Sequence, residues 1–147
     1  MSSAAPAGLL VHGWPDAFRG TAAVRAGLVT PGQLRGPRYL RMFPDTYVRR
    51  GPQPPDLGLR SHAAHLYSGR RGILAGYSAA DRLGAPCHEQ DAPAELSVGR
   101  VDLRSRTGLV VHRNRLRTDE YLVDRGVPVT TAVRTAYDLG RWADGLV

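Results

Sequence analysis

The chain has 147 residues, enough for one long domain or two small modules. An apolar fraction of 42% supports a packed core, and no run of about 18 or more apolar residues exists to span a membrane. The single cysteine, Cys87, excludes an internal disulfide and fits a reducing cytoplasm. The net charge of +7 rests on arginine alone, because lysine is absent. A GC-rich genome also favours arginine, so its placement says more than its number. Residues 19–50 hold seven arginines and one acid, net +6, whereas 57–147 hold thirteen and ten, net +3.

Residues 1–17 read as an N-terminal extension. They lack the positive start and the long apolar stretch of a secretory signal. Thr21 to Ala26 is alanine-rich and stops at Gly27, a natural residue to follow a helix. Thr30-Pro31-Gly32-Gln33 reads as a helix start. Thr30 can cap, Pro31 suits the first helical position, and Gln33 completes a capping box. Val29 and Leu34 stand where a hydrophobic staple would join. Gly36-Pro37 should end that helix at 31–35. Two strands, Tyr39–Phe43 and Thr46–Arg49, follow around a Pro44-Asp45 turn. The order helix, turn, helix, basic hairpin is that of a winged helix-turn-helix, here a degenerate one occupying 18–50.

Gly51 to Asp56, GPQPPD, reads as a proline-rich linker. Leu57 to Tyr67 carries apolar residues at 59, 63, 66 and 67, the spacing of an amphipathic helix. Ser78 to Leu83 predicts a short helix with Ser78 as its cap and Asp81 at S-x-x-D spacing. Strands are expected at Ala94–Val98, Leu109–Arg113 and Val127–Thr130, and Thr131 opens a last helix, TAVRTAYDLGRW. Arg134 and Asp138 stand four apart on it, a pair worth roughly 0.2–0.5 kcal/mol if exposed. Apolar residues continue to Leu146-Val147, so 57–147 is expected to be a small mixed α/β module truncated at its C-terminus. The fold class expected is α/β (α+β).

FRGTAAVRAGLVTPGQLRGPRYLRMFPDTYVRRG resembles the N-terminal part of actinobacterial proteins with an AbiEi-type antitoxin domain. ILAGYSAADRLGAP, AELSVGR, GLVVHRNRL and VPVTTAVRTAYDLGR resemble successive blocks of the same family, over roughly residues 18–142. The resemblance implies a winged helix followed by an α/β module. It also implies promoter binding of the type IV toxin–antitoxin kind, with double-stranded DNA and a nucleotidyltransferase-type toxin as partners. Many members continue into an endonuclease-like domain related to very-short-patch-repair nucleases. The alternative is therefore the targeting half of such a protein, its catalytic half missing.

The candidate DNA-binding residues are Arg25, Thr30, Gln33, Arg35, Arg38, Arg41, Arg49 and Arg50. Gln33 and Arg35 would face base edges, glutamine reading adenine and arginine guanine. Arg38, Arg41, Arg49 and Arg50 would hold phosphates, which positions a protein without specifying sequence. Tyr39, Phe43 and Tyr47 are expected in the core, on one packed face. A rival enzyme is weighed on LLVHGWPD, Leu9 to Asp16, which resembles the oxyanion-side motif of α/β-hydrolases. Gly76-Tyr77-Ser78-Ala79-Ala80 would be its nucleophile elbow and His112 its base. A chain of 147 residues is short for that fold. His12, His62, His65, His88, His112 and Cys87 form no zinc spacing. No catalytic residue, metal or cofactor is expected.

Overall fold

The computed structural model describes residues 17–143. The chain is mixed α/β, with two sheets and five helices among the described residues. It opens with β1 (Ala17–Arg19), α1 (Gly20–Arg25), α2 (Pro31–Leu34), β2 (Tyr39–Phe43) and β3 (Thr46–Arg49). These three strands form one antiparallel sheet in the order β1-β3-β2.

Local chemistry sets each boundary. Gly27 takes the left-handed conformation, φ 76°, and its N–H reaches the Val24 carbonyl. The next N–H, on Leu28, donates to Ala23, which satisfies the last carbonyls of α1. At α2 both arms of the capping box are made. The Gln33 N–H donates to Thr30 Oγ1 at 3.1 Å, and the Thr30 N–H donates to Gln33 Oε1 at 2.9 Å. Val29 and Leu34 are buried together beneath it with Phe18 and Ala23. Asp45, the one acid of this segment, has a structural role. Its side chain accepts from the Thr21 N–H at 2.8 Å and its carbonyl from the Gly20 N–H at 3.0 Å. The β2–β3 turn is thus fastened to the start of α1 and does not project as a free wing tip.

The three aromatics do not share a face. A register shift between Arg41 and Phe43 makes Met42 a bulge, which inverts the alternation after it. Tyr39 and Tyr47 pack on Phe18 beneath the helices, with ring centroids 5.7 and 6.1 Å from it. Phe43 points to the opposite side and stacks on Tyr67 at 5.3 Å. That side is covered by α3 (Leu57–Tyr67), whose Asp56 cap accepts the Leu59 N–H at 2.8 Å.

Beyond α3 come β4 (Ile73–Leu74), α4 (Gly76–Arg82), β5 (Ala94–Ser97), β6 (Leu109–His112), β7 (Tyr121–Asp124), β8 (Val127–Thr130) and α5 (Ala132–Ala143). The second sheet runs β6-β5-β4-β8-β7 and is mixed. Pairs β5–β6 and β4–β8 are parallel, and β4–β5 and β7–β8 antiparallel. One hydrophobic cluster runs from Ala17, Phe43 and Val48 through Ala63, Ala64 and Leu66 of α3 to Leu74, Leu96 and Val129. Helix α3 is therefore buried between the two sheets.

One expectation about the second half is corrected, and the exposure of one ion pair is decided. Ser78 is not a cap: α4 begins two residues earlier, and Ser78 is buried in its first turn. Its hydroxyl accepts from the Glu95 N–H at 2.9 Å and from Ser61 Oγ at 2.7 Å. The start of α4 is supplied from far along the chain, because Glu95 Oε2 accepts the Tyr77 N–H at 2.7 Å. Nor is Arg134–Asp138 an exposed pair. Asp138 is 1% exposed and receives Arg134 Nε at 3.0 Å, while the same guanidinium reaches Glu120 at 2.8 Å. Removing one partner of such a buried pair typically costs about 3–5 kcal/mol, far above the surface value.

Candidate nucleic-acid interface

Three arginines, Arg38, Arg49 and Arg50, gather at the open end of the β2–β3 hairpin, away from its turn. There the Arg50 N–H donates to the Arg38 carbonyl at 2.8 Å, so these two residues stand across from each other. One step in, Arg49 lies opposite Tyr39 in the strand register. The Arg50 guanidinium is steadied by the Pro37 carbonyl, 2.9 Å from Nε. Helix α2 closes the other side. The result is a polar cleft of about 430 Å³ lined by Leu28, Gln33, Arg38, Tyr39, Arg49 and Arg50.

Four of the eight residues predicted from sequence thus meet around one cleft: Gln33, Arg38, Arg49 and Arg50. The other four are exposed but lie outside its lining. Arg25 ends α1, Thr30 caps α2, Arg35 follows α2, and Arg41 faces out from β2 opposite Tyr47. Leu28 and Tyr39 were not foreseen as lining residues. The signal for Tyr39 was its place opposite Arg49, which only the strand register reveals. Asp45, the one acid of residues 19–50, is engaged with Thr21 and lies 3.7 Å from Arg19. No acid stands among the residues that line the cleft. Charge concentrated in a concavity attracts polyanions over several ångströms.

Of the rival hydrolase's residues, Ser78 and His112 make no hydrogen bond to each other among the described residues. Leu9 to Asp16, the supposed oxyanion loop, lies outside the described residues. His112 Nε2 sits 3.1 Å from Glu95 Oε1, and its ring stacks on Trp142 at 3.6 Å. Ser78 meets the Glu95 backbone and Ser61 instead, with its side chain buried. Histidine and serine thus attach to different parts of Glu95, in a structural tie between α4, β5, β6 and α5. His65 is buried and its Nδ1 lies 2.9 Å from the Gly72 carbonyl. Burial pushes its pKa below the ordinary 6.5, against the upward pull of that hydrogen bond. No group of three metal-ligating side chains occurs among the described residues. No helix among them is long and apolar enough to cross a membrane.

Compared with protein-family models, curated proteins and solved structures, the chain matches none at a significant level.

Proposed function

We propose that this chain is a non-catalytic, duplex-DNA-binding protein of the antitoxin or transcription-regulator kind. One observation carries the proposal: Arg38, Arg49 and Arg50 converge with Gln33 on one cleft between α2 and the hairpin. The order β1-α1-α2-β2-β3, with strand order β1-β3-β2, supports a degenerate winged helix as its framework. In that arrangement the hairpin arginines take backbone phosphates and α2 lies along a groove. The family resemblance of residues 18–142 adds the antitoxin role and a nucleotidyltransferase-type toxin as partner. The burial of Ser78, and the engagement of the half-buried His112 with Glu95 and Trp142, favour the non-catalytic reading over the hydrolase.

Fluorescence anisotropy of the full chain on a labelled duplex, across a salt series, tests this. About four arginine–phosphate contacts give a log–log salt slope near −3.6, from about −0.9 per contact. Arg49→Ala and Arg38→Ala should each weaken binding and flatten that slope by about 0.9. Equal loss from Arg104→Ala and Arg117→Ala, both in the second half, would overturn the assignment of the interface.

A further inference from the structure

We infer that the described basic module, residues 17–50, holds duplex DNA with base discrimination at no more than one base pair, an inference that rests on the DNA-binding function proposed above. The observation is the side-chain inventory of α2. The helix is a single turn of four residues. Pro31 and Gly32 carry no side-chain donor or acceptor, and Leu34 is buried in the cluster with Phe18. Only Gln33 has a side chain able to read a base. Reading adenine requires its carboxamide oxygen and nitrogen to be presented together to one base edge. Here the oxygen faces backward and accepts the Thr30 N–H at 2.9 Å. Turning the amide outward would open one arm of the cap that starts the helix. The Thr30 hydroxyl is held by the other arm, accepting the Gln33 N–H.

Past the helix the chain turns at Gly36-Pro37, so Arg35 is the last side chain that α2 can offer to a groove. One arginine can read one guanine, a preference of about five- to a hundred-and-fifty-fold. The remaining basic residues of the cleft, Arg38, Arg49 and Arg50, sit on the hairpin end, where they meet phosphates. Affinity then comes from charge, and an operator would have to be selected by something other than α2.

The test is selection of a randomised duplex library by the full chain, with bound and unbound pools sequenced. The same library is run with Gln33→Glu and Arg35→Ala. Glutamate keeps an acceptor oxygen for the Thr30 N–H and removes the amide donor, so it separates capping from base reading. The expected result is a pool enriched at no position, or at one position whose preference is lost in Arg35→Ala. Gln33→Glu should lower binding to all sequences by the same factor. Enrichment at two or more positions, or a loss in Gln33→Glu confined to adenine-containing sites, overturns the inference and leaves DNA binding standing. Absence of binding to any duplex overturns the proposed function itself.

Discussion

Gly76→Ala places a methyl group where the structure has no room for one. Gly76 adopts φ 55°, in the left-handed region, directly beside the Glu95 carboxylate. A Cβ built there lies within 3.0 Å of all three carboxyl atoms, Cδ, Oε1 and Oε2. The left-handed conformation costs an alanine about 1–2 kcal/mol. Displacing the carboxylate also strains its bonds to the Tyr77 N–H and to His112, and hydrogen bonds to a charged group contribute about 1.5–3 kcal/mol. A less flexible unfolded chain returns about 0.4–1 kcal/mol. The net destabilisation expected is about 2–4 kcal/mol, a large part of the roughly 5–15 kcal/mol that holds a typical domain together. Gly27→Ala is the control. It has φ 76° but nothing within 4 Å of its Cβ, so only the backbone penalty applies, about 1 kcal/mol after the same offset. Urea unfolding of both variants, read by circular dichroism, measures the difference. With a slope of about 2 kcal/mol per molar, the Gly76 variant should lose roughly 1–2 M in midpoint. Equal midpoints for the two variants would refute the placement of Glu95 over the start of α4.

Thr30→Ala removes a cap whose two arms are both made, and should lower stability by about 1 kcal/mol; an unchanged urea midpoint would count against it. Ser78→Ala deprives the buried Glu95 N–H of its acceptor, so a loss of about 1–3 kcal/mol is expected, and a neutral result would contradict that bond. For His65, whose folded pKa is lowered, the unfolded chain binds the proton first. Its contribution is therefore intact above about pH 6.5 and declines as the pH falls from there to the lower folded value. The urea midpoint should drop between pH 7 and 5, and that drop should shrink in His65→Asn; an identical pH profile in the variant would refute the assignment.

Elements with a local signature were legible in the sequence. The capping box at Thr30 and Gln33, the limits of α3, and strand β8 follow from residues within a few positions of each other. Strands β1 and β7 were not, since three or four residues such as Ala17–Arg19 and Tyr121–Asp124 are too short to display a period. Ser78 misled for a related reason. Its spacing to Asp81 imitates a cap, but α4 is capped by Glu95 from a neighbouring strand, a partner that no local pattern encodes. The aromatic face was misjudged because a single bulge at Met42 reverses every later side chain. For the interface, charge segregation located the arginines. Their convergence depends on hairpin register, which composition does not carry.

The burial of α3 on both flanks bears on how the chain folds. Leu57, Ala63, Ala64 and Leu66 are each at most 5% exposed, so neither sheet can complete its interior without this helix. Helix α3 packs on β1, β2 and β3 of one sheet and on β4 and β5 of the other, so the two sheets share it. Unfolding should accordingly be a single concerted transition, with amide protons of β3 and β5 exchanging at a common rate under conditions where global opening dominates. Residues 17–50 taken alone would leave Phe43 and Val48 facing water, and the remainder would leave Tyr67 uncovered. The proline-rich stretch therefore acts as a strap across one folding unit, and the arginine-bearing hairpin inherits the rigidity of the whole.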